Sequence, residues 1–140
     1  MLEPFFSPYQ VAGLDLANRF VMAPMTRKQS PGGVPTETVA EYYRRRAAGG
    51  LGLIITEGTL VEHRLASPDD TIPRIAEDTV DAWRMVLDEI RKTNTKTFVQ
   101  LWYQGSKASP GISAFVVKED GAEAVSAATE KDRKDILKLL

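Results

Sequence analysis

Cysteine is absent from the 140 residues, and histidine occurs once, as His63. The first absence removes disulfides, thiolate nucleophiles and cysteine-based zinc centres, and it suits a reducing compartment. Long apolar runs are missing too. None, including that ending at Leu51-Gly-Leu-Ile-Ile55, comes near the roughly 20 residues that a bilayer-spanning helix needs. Neither sign of charge dominates: 18 basic against 19 acidic side chains leave a net charge of -1. No global field therefore draws the chain to nucleic acid or to an anionic membrane. Met1-Leu-Glu-Pro4 puts an acid and a proline where a secretory signal carries a basic stretch and an apolar run. These absences predict a soluble, cytoplasmic protein with neither nucleic acid nor membrane as partner. What is present, 43% hydrophobic and 26% charged residues, suits one modest globular domain with its own core.

Three short apolar runs stand out: Phe20-Val-Met-Ala-Pro-Met25, Leu51-Gly-Leu-Ile-Ile-Thr56 and Thr97-Phe-Val-Gln-Leu-Trp102. Near-continuous runs of this length read as strands buried on both faces. Between them lie two helical patterns. Thr36 is placed to cap a helix running to Gly49, with Val39, Tyr42, Tyr43 and Ala47 on one face and Gly49-Gly50 as its stop. The second spans residues 78–93, with Val80, Trp83, Leu87 and Ile90 at three- and four-residue spacing. Strand, helix, strand, helix, strand predicts parallel strands joined by helical crossovers.

Ahead of the first strand, Gln10-Val-Ala-Gly-Leu-Asp-Leu16 reads as a hairpin turning at Ala12-Gly13. Residues 106–128 read as an irregular excursion, with Ala114-Phe-Val-Val117 as the one candidate strand. Thr129-Glu-Lys-Asp132 is a capping-box variant with aspartate in place of the usual glutamate. It opens a helix whose apolar side carries Ile136, Leu137 and Leu140.

In parallel α/β folds, ligands bind at the carboxyl ends of the strands. Polar residues collect there: Pro24-Met-Thr-Arg27 after the first run, Thr56-Glu-Gly-Thr59 after the second, Gln100-Leu-Trp102 in the third. A threonine hydroxyl, a glycine permitting close backbone approach and a neutral amide can together face a flat heteroaromatic ligand. Position alone does not identify that ligand.

Four segments do. Asn18-Arg-Phe-Val-Met-Ala-Pro-Met-Thr-Arg27, Ala40-Glu-Tyr-Tyr-Arg-Arg-Arg46, Gly52-Leu-Ile-Ile-Thr-Glu-Gly-Thr59 and Val99-Gln-Leu-Trp102 resemble, in order and spacing, the opening segments of the Old Yellow Enzyme family. Pro31-Gly-Gly-Val-Pro35 and the helix around Trp83 also resemble it. The family consists of FMN-dependent (β/α)8-barrel oxidoreductases that use NAD(P)H. The resemblance implies that the backbone at Pro24 and Met25 lies against the isoalloxazine. It implies that the Thr26 hydroxyl donates towards the flavin C4 carbonyl side and tunes the reduction potential. Gly58 would bring its backbone close to the ring, and the Gln100 amide would pair with the pyrimidine edge. Trp102 would form a wall of the substrate pocket.

Departures accompany the matches. The family often continues His-Val-Gly-Arg after the tryptophan; here the chain reads Tyr103-Gln-Gly-Ser106. The family's substrate-holding His pair, proton-donating tyrosine, flavin-side arginine and phosphate cradle come from its fourth and later strands. The resemblance therefore assigns no catalytic residue and no metal ligand here.

Other features have plainer readings. Arg44-Arg-Arg46 is the solvated face of an outer helix, with Glu37 and Glu41 at pairing distance. Gly49-Gly-Leu-Gly52 precedes a strand, so it is a helix stop and not a dinucleotide loop. His63 reads as a surface loop residue, and Asp69-Asp70 as a turn or helix start.

The expected fold is α/β, a partial (β/α)8 barrel holding about three βα units and an amino-terminal hairpin. Residues 1–140 are read as one incomplete FMN-binding domain: hairpin and strands to 105, excursion over 106–128, start of the third barrel helix over 129–140. Two functions follow. One is an FMN-dependent NAD(P)H oxidoreductase that reduces activated alkenes of the enone type, cut off before its catalytic half. The other is a non-catalytic fragment or half-barrel module that associates with a complementary carboxy-terminal half or with itself.

Overall fold

Two helical crossovers set the architecture. The computed structural model describes residues 2–108, 111–113, 116–119 and 122–138. A single turn, α1 (Glu3–Phe6), leads into the antiparallel hairpin β1 (Tyr9–Val11) and β2 (Leu14–Leu16). The connection turns at Ala12 and Gly13, whose φ angles are 48° and 78°. Two positive φ values in a row make the turn type that suits strand twist, and asparagine is its usual first residue.

Next come β3 (Val21–Met22), α2 (Glu37–Ala48), β4 (Leu53–Ile55), β5 (Thr59–Val61), β6 (Arg74–Ile75), α3 (Val80–Arg91), β7 (Lys96–Phe98) and β8 (Leu101–Trp102). All pairings among these strands are parallel. They form two three-stranded sheets, ordered β3-β4-β7 and β6-β5-β8. β5 follows β4 after residues 56–58, and β8 follows β7 after residues 99–100. The third expected strand is thus present but broken in the middle, whereas the second is β4, and β5 continues it beyond the end expected at residues 56–59. β6, which the sequence pattern did not suggest, runs beside β5 on the side that β3 takes beside β4.

Both expected helices form, with corrected faces. In α2 the buried residues are Val39, Ala40, Tyr43 and Ala47, and Tyr42 sits at the margin. The Thr36 hydroxyl does not cap the helix; it donates to the Gln29 carbonyl at 3.3 Å. Gly49 keeps helical angles, and Gly50, with φ 87°, ends the helix. In α3 the covered residues are Trp83, Val86 and Ile90, while Val80 is exposed. The Trp83 indole also donates to the Arg74 carbonyl at 2.9 Å, tying α3 to β6.

The excursion over 106–128 is not irregular. It holds β9 (Gly111–Ser113), β10 (Val117–Glu119) and β11 (Ala122–Ala127), in the order β10-β11-β9. Of the candidate strand at 114–117, Ala114 and Phe115 lie outside the described residues, and Val117 opens β10. α4 (Glu130–Lys138) begins where the capping box predicts. Thr129 and Asp132 exchange the expected bonds, the Thr129 N–H donating to Asp132 and the Asp132 N–H to the Thr129 hydroxyl. The side chains of Ile136, Leu137 and Leu140 lie outside the described residues. No helix among the described residues is long and apolar enough to cross a membrane.

The main core joins α2 and α3 to one face of the first sheet, through Val39, Tyr43, Ile54, Trp83, Val86 and Ile90. Met22 packs on it as well. Side chains one residue along each strand point the other way. There Val21 and Phe98 are exposed, although in a closed barrel that face is the filled interior. Ile54 is 0% exposed and Phe98 is 52%. Ile54→Ala is therefore expected to cost about 2–5 kcal/mol, and Phe98→Ala to stay within about 0.5 kcal/mol, by urea unfolding. An equal loss at Phe98 would mean that another surface covers this face in solution.

Candidate flavin site at the carboxyl ends of the strands

The carboxyl ends of the three barrel strands meet around residues 56–58. Glu57 is fully buried there. Its Oε1 accepts from Arg27 Nη2 at 2.7 Å, and its Oε2 accepts from the Arg27 main-chain N–H at 2.9 Å. The Glu57 N–H donates to the Tyr43 hydroxyl oxygen at 2.7 Å. The Arg27 guanidinium lies over the Tyr42 ring, 3.6 Å from its centre, and Arg46 covers the same ring at 3.4 Å. Aromatic faces attract cations in this arrangement. Arg27 thus answers its buried partner with charge and answers the helix with its flat face.

Strand three is fastened at the same level. Thr56 N–H donates to the Phe98 carbonyl at 2.9 Å and Thr59 N–H to the Gln100 carbonyl at 2.8 Å. Between them the Thr56 hydroxyl accepts the Gln100 N–H at 3.3 Å. A side chain therefore replaces the ladder bond where strands two and three both break. Trp102 lies against Gly58, and a β-carbon there would stand 2.3 Å from the indole. The room Gly58 leaves is filled by Trp102.

The six residues singled out at the strand ends divide into two groups. Gly58, Gln100 and Trp102 come together across the paired strands two and three. Pro24, Met25 and Thr26 follow β3 in a turn joined to them through the adjacent Arg27 and its bonds to Glu57. Met25 is 64% exposed, and Thr26 and Gln100 are exposed. Among the described residues, neither the Thr26 hydroxyl nor the Gln100 side-chain amide has a hydrogen-bond partner.

The sequence profile of the NADH:flavin oxidoreductase / NADH oxidase family matches residues 4–138. The chain belongs to this family. It is 43% identical over 104 residues to 12-oxophytodienoate reductase 7 of Oryza sativa subsp. japonica, a match covering 73% of this chain and 26% of that one. It is 36% identical over 132 residues to chanoclavine-I aldehyde reductase of Penicillium roqueforti, covering 90% of this chain and 36% of that one. In three dimensions it is similar to Old Yellow Enzyme from Pichia sp. AKU4542, with a TM-score of 0.84, 26% identity, and coverage of 96% of this chain and 40% of that one. It is likewise similar to morphinone reductase in complex with tetrahydroNAD, with a TM-score of 0.83, 26% identity, and coverage of 96% and 43%. The fold is a partial (β/α)8 barrel of the Old Yellow Enzyme type. The chain spans about a quarter to a third of the length of these curated relatives.

Several features of this family member were not foreseen in its sequence. Glu57 read as a polar strand-end residue; an acid and the base Arg27 at neighbouring strand ends were the available signal. His63 lies in a loop as expected, but its side chain is largely covered, at 10% exposed. Its Nδ1 stands 3.3 Å from the Tyr103 hydroxyl and accepts the Leu65 N–H at 3.3 Å, and its Nε2 faces Asp132 at 3.8 Å. Tyr103, where the family often has histidine, is thus partnered by the chain's one histidine. The Arg44–Arg46 reading holds in part. Glu41 pairs with Arg44 and Arg45, which hold its carboxyl down at about 2, while Arg46 stacks on Tyr42. Asp69 accepts from Thr71 and pairs with Lys28 at 2.7 Å. Among the described residues no cluster of His, Cys, Asp or Glu could hold a metal ion.

Two outcomes follow. Gly58→Ala must displace the Trp102 indole, an overpacking typically worth about 1–3 kcal/mol, and tryptophan fluorescence and urea unfolding should both change. Burial pushes the Tyr43 phenol from 10.0 up to about 12. The folded chain therefore holds that proton more tightly than the unfolded chain does. Stability should be unaffected by this group below pH 10 and should fall between pH 10 and 12, as followed by urea unfolding at stepped pH. Tyr43→Phe should flatten that fall, and should itself cost about 1–3 kcal/mol by leaving the Glu57 N–H buried without an acceptor.

Proposed function

We propose that the chain supplies the ring-binding part of an FMN site in an ene-reductase type of NADH:flavin oxidoreductase, acting in the cytoplasm. The observation that carries this reading is the pair of exposed, unpartnered polar groups, the Thr26 hydroxyl and the Gln100 amide. They stand at the mouth of a parallel sheet, beside the indole seated on Gly58. Both are exposed and without a partner among the described residues, so they are free for a ligand that offers both acceptors and donors along one edge. That pattern fits an isoalloxazine. Pro24 and Met25 would lie under the ring, Thr26 would donate to its carbonyl side, Gln100 would pair with its pyrimidine edge, Gly58 would let the backbone approach, and Trp102 would wall the substrate pocket.

When bound, the flavin supplies the chemistry, passing hydride from NAD(P)H to an activated alkene of the enone type. The role of these residues is to orient the ring and to tune its potential. The phosphate requires its own cradle of arginine and backbone N–H groups, and the resemblance places that cradle on strands beyond the third.

A second reading has its own support in Val21 and Phe98, exposed apolar side chains on one face of the first sheet. Together with the open edges of β3 and β7, this face suits either a complementary polypeptide carrying the remaining barrel strands or self-association. A barrel closes such edges, whereas an open sheet leaves them ready for another chain.

Three measurements separate these readings. The purified chain is expected to bind FMN only weakly in a calorimetric titration; tight stoichiometric uptake would reveal another phosphate site. It is expected to show no NADPH-dependent reduction of cyclohexenone, since general acid catalysis alone is typically worth about 10^2 to 10^4 in rate. Co-expression with a polypeptide carrying strands four to eight should yield a soluble yellow complex. In that complex Gln100→Ala should weaken flavin binding and Thr26→Ala should shift the flavin's midpoint potential. A well-folded monomer indifferent to such a partner would overturn the half-barrel reading.

A further inference from the structure

Residues 56, 57 and 58 are three consecutive fastenings, each holding a different piece of the site. Thr56 holds the Gln100 main chain through its hydroxyl. Glu57 holds the Arg27 main-chain N–H and guanidinium, at 2.9 and 2.7 Å. Gly58 seats the Trp102 indole. The first and third act on strands that also pair through their backbones. The second does not, because β3 ends at Met22 and the turn beyond it leaves the sheet. Among the described residues, the bond from Arg27 N–H to Glu57 is the one that any main-chain N–H of residues 23–28 makes outside the β ladder. Thr26 is joined to Arg27 by the peptide bond that carries this very N–H. A buried carboxylate with one oxygen on the guanidinium and the other on that N–H therefore sets both where the turn stands and which way it faces.

We propose that Glu57 is a positioning residue of the flavin site, fixing the Thr26 hydroxyl relative to Gln100 and Trp102. The inference rests on the flavin reading above. It assigns Glu57 a task that an ion pair alone would not require, namely reach to the main chain as well as charge opposite Arg27.

Two variants separate reach from charge. Glu57→Asp keeps the charge, which the flexible Arg27 side chain can follow, but is one methylene too short for the main-chain N–H. Glu57→Gln loses the charge but keeps a carbonyl oxygen at full reach. Amide hydrogen exchange and chemical shifts are measured on the 15N-labelled chain, with and without millimolar FMN, a concentration at which weak binding is visible. In Glu57→Asp the Arg27 amide should exchange about tenfold faster, the scale of one lost hydrogen bond. The FMN-induced shift at Thr26 should vanish there while that at Gln100 persists. In Glu57→Gln the Arg27 amide should stay within about threefold of the wild type, and the Thr26 response should return.

The reverse order, with aspartate sparing the Arg27 amide and glutamine exposing it, would show a plain ion pair and overturn the proposal. So would loss of the Thr26 and Gln100 responses together, which would mark general unfolding of the site. If the wild-type chain shows no FMN-induced shift at either residue, the flavin reading fails, and this residue's role toward a flavin fails with it. The order of Arg27 exchange across the two variants would then still report whether Glu57 holds the turn.

Discussion

The ion pair between Arg27 and Glu57 is the interaction on which the rest of the strand-end region depends. Taking two charges out of water is expensive, and their attraction repays it only when the remaining hydrogen-bonding capacity is also met. Here it largely is. Glu57 spends both oxygens on Arg27, its N–H goes to Tyr43, and its carbonyl accepts from the Thr56 and Thr59 hydroxyls at 3.2 and 3.1 Å. Arg27 keeps one buried nitrogen, Nε, without a partner, and meets the Tyr42 face instead. Helix α2, the turn after β3 and the break in strand two are therefore mutually committed. Moving any one of them would strand a buried charge, a penalty that no neighbouring apolar contact offsets.

That commitment explains why strands two and three can break at the same level without separating. The Thr56 hydroxyl bridges the gap in the ladder, and Gly58 lets the indole of Trp102 close against the strand. Below the break, side chains alternate between a helix-covered face and an open one. Above it, the second sheet gathers its own small core of Leu60, Val61, Ala66 and Ile72. The covered face holds helices and sheet together, whereas Val21 and Phe98 on the other face are exposed.

Much of this was legible because the physical signals were local. The apolar runs around Ile54 and Phe98, the spacing of Val39, Tyr43 and Ala47, the left-handed turn at Ala12-Gly13 and the box at Thr129 each announce an element within a few residues. What escaped was set by partners distant in sequence. β6 is a strand because β5 offers it an edge, and Arg74-Ile75 carries no periodicity of its own. The strands at 111–127 pair chiefly with one another, in a segment whose polar and small residues read as loop. His63 is covered by Tyr103 and approached by Asp132, neither of which is near it in the sequence. In α3, Trp83 and Ile90 are buried as expected, but Val86 is buried where Leu87 is only half-buried, and Val80 in the first turn is exposed.

The ties that define the structure share one property with consequences for how it forms. Arg27 and Glu57 are 30 residues apart, Asn18 and Gly50 are 32, and Thr56 and Gln100 are 44. Closing loops of that size costs conformational entropy before any bond is gained, and parallel pairing of this kind is intrinsically slow. Helices α2 and α3 need no such closure and can form while the strands are still apart. On the ribosome, strand one must wait for about thirty further residues to emerge before its first partner exists. During that interval the backbone of β3 has no ladder to join, since both of its partner residues, Leu53 and Ile54, lie in β4. Strand one is therefore ordered by residues made after it, and the pairing of Glu57 with Arg27 fixes the turn that follows it.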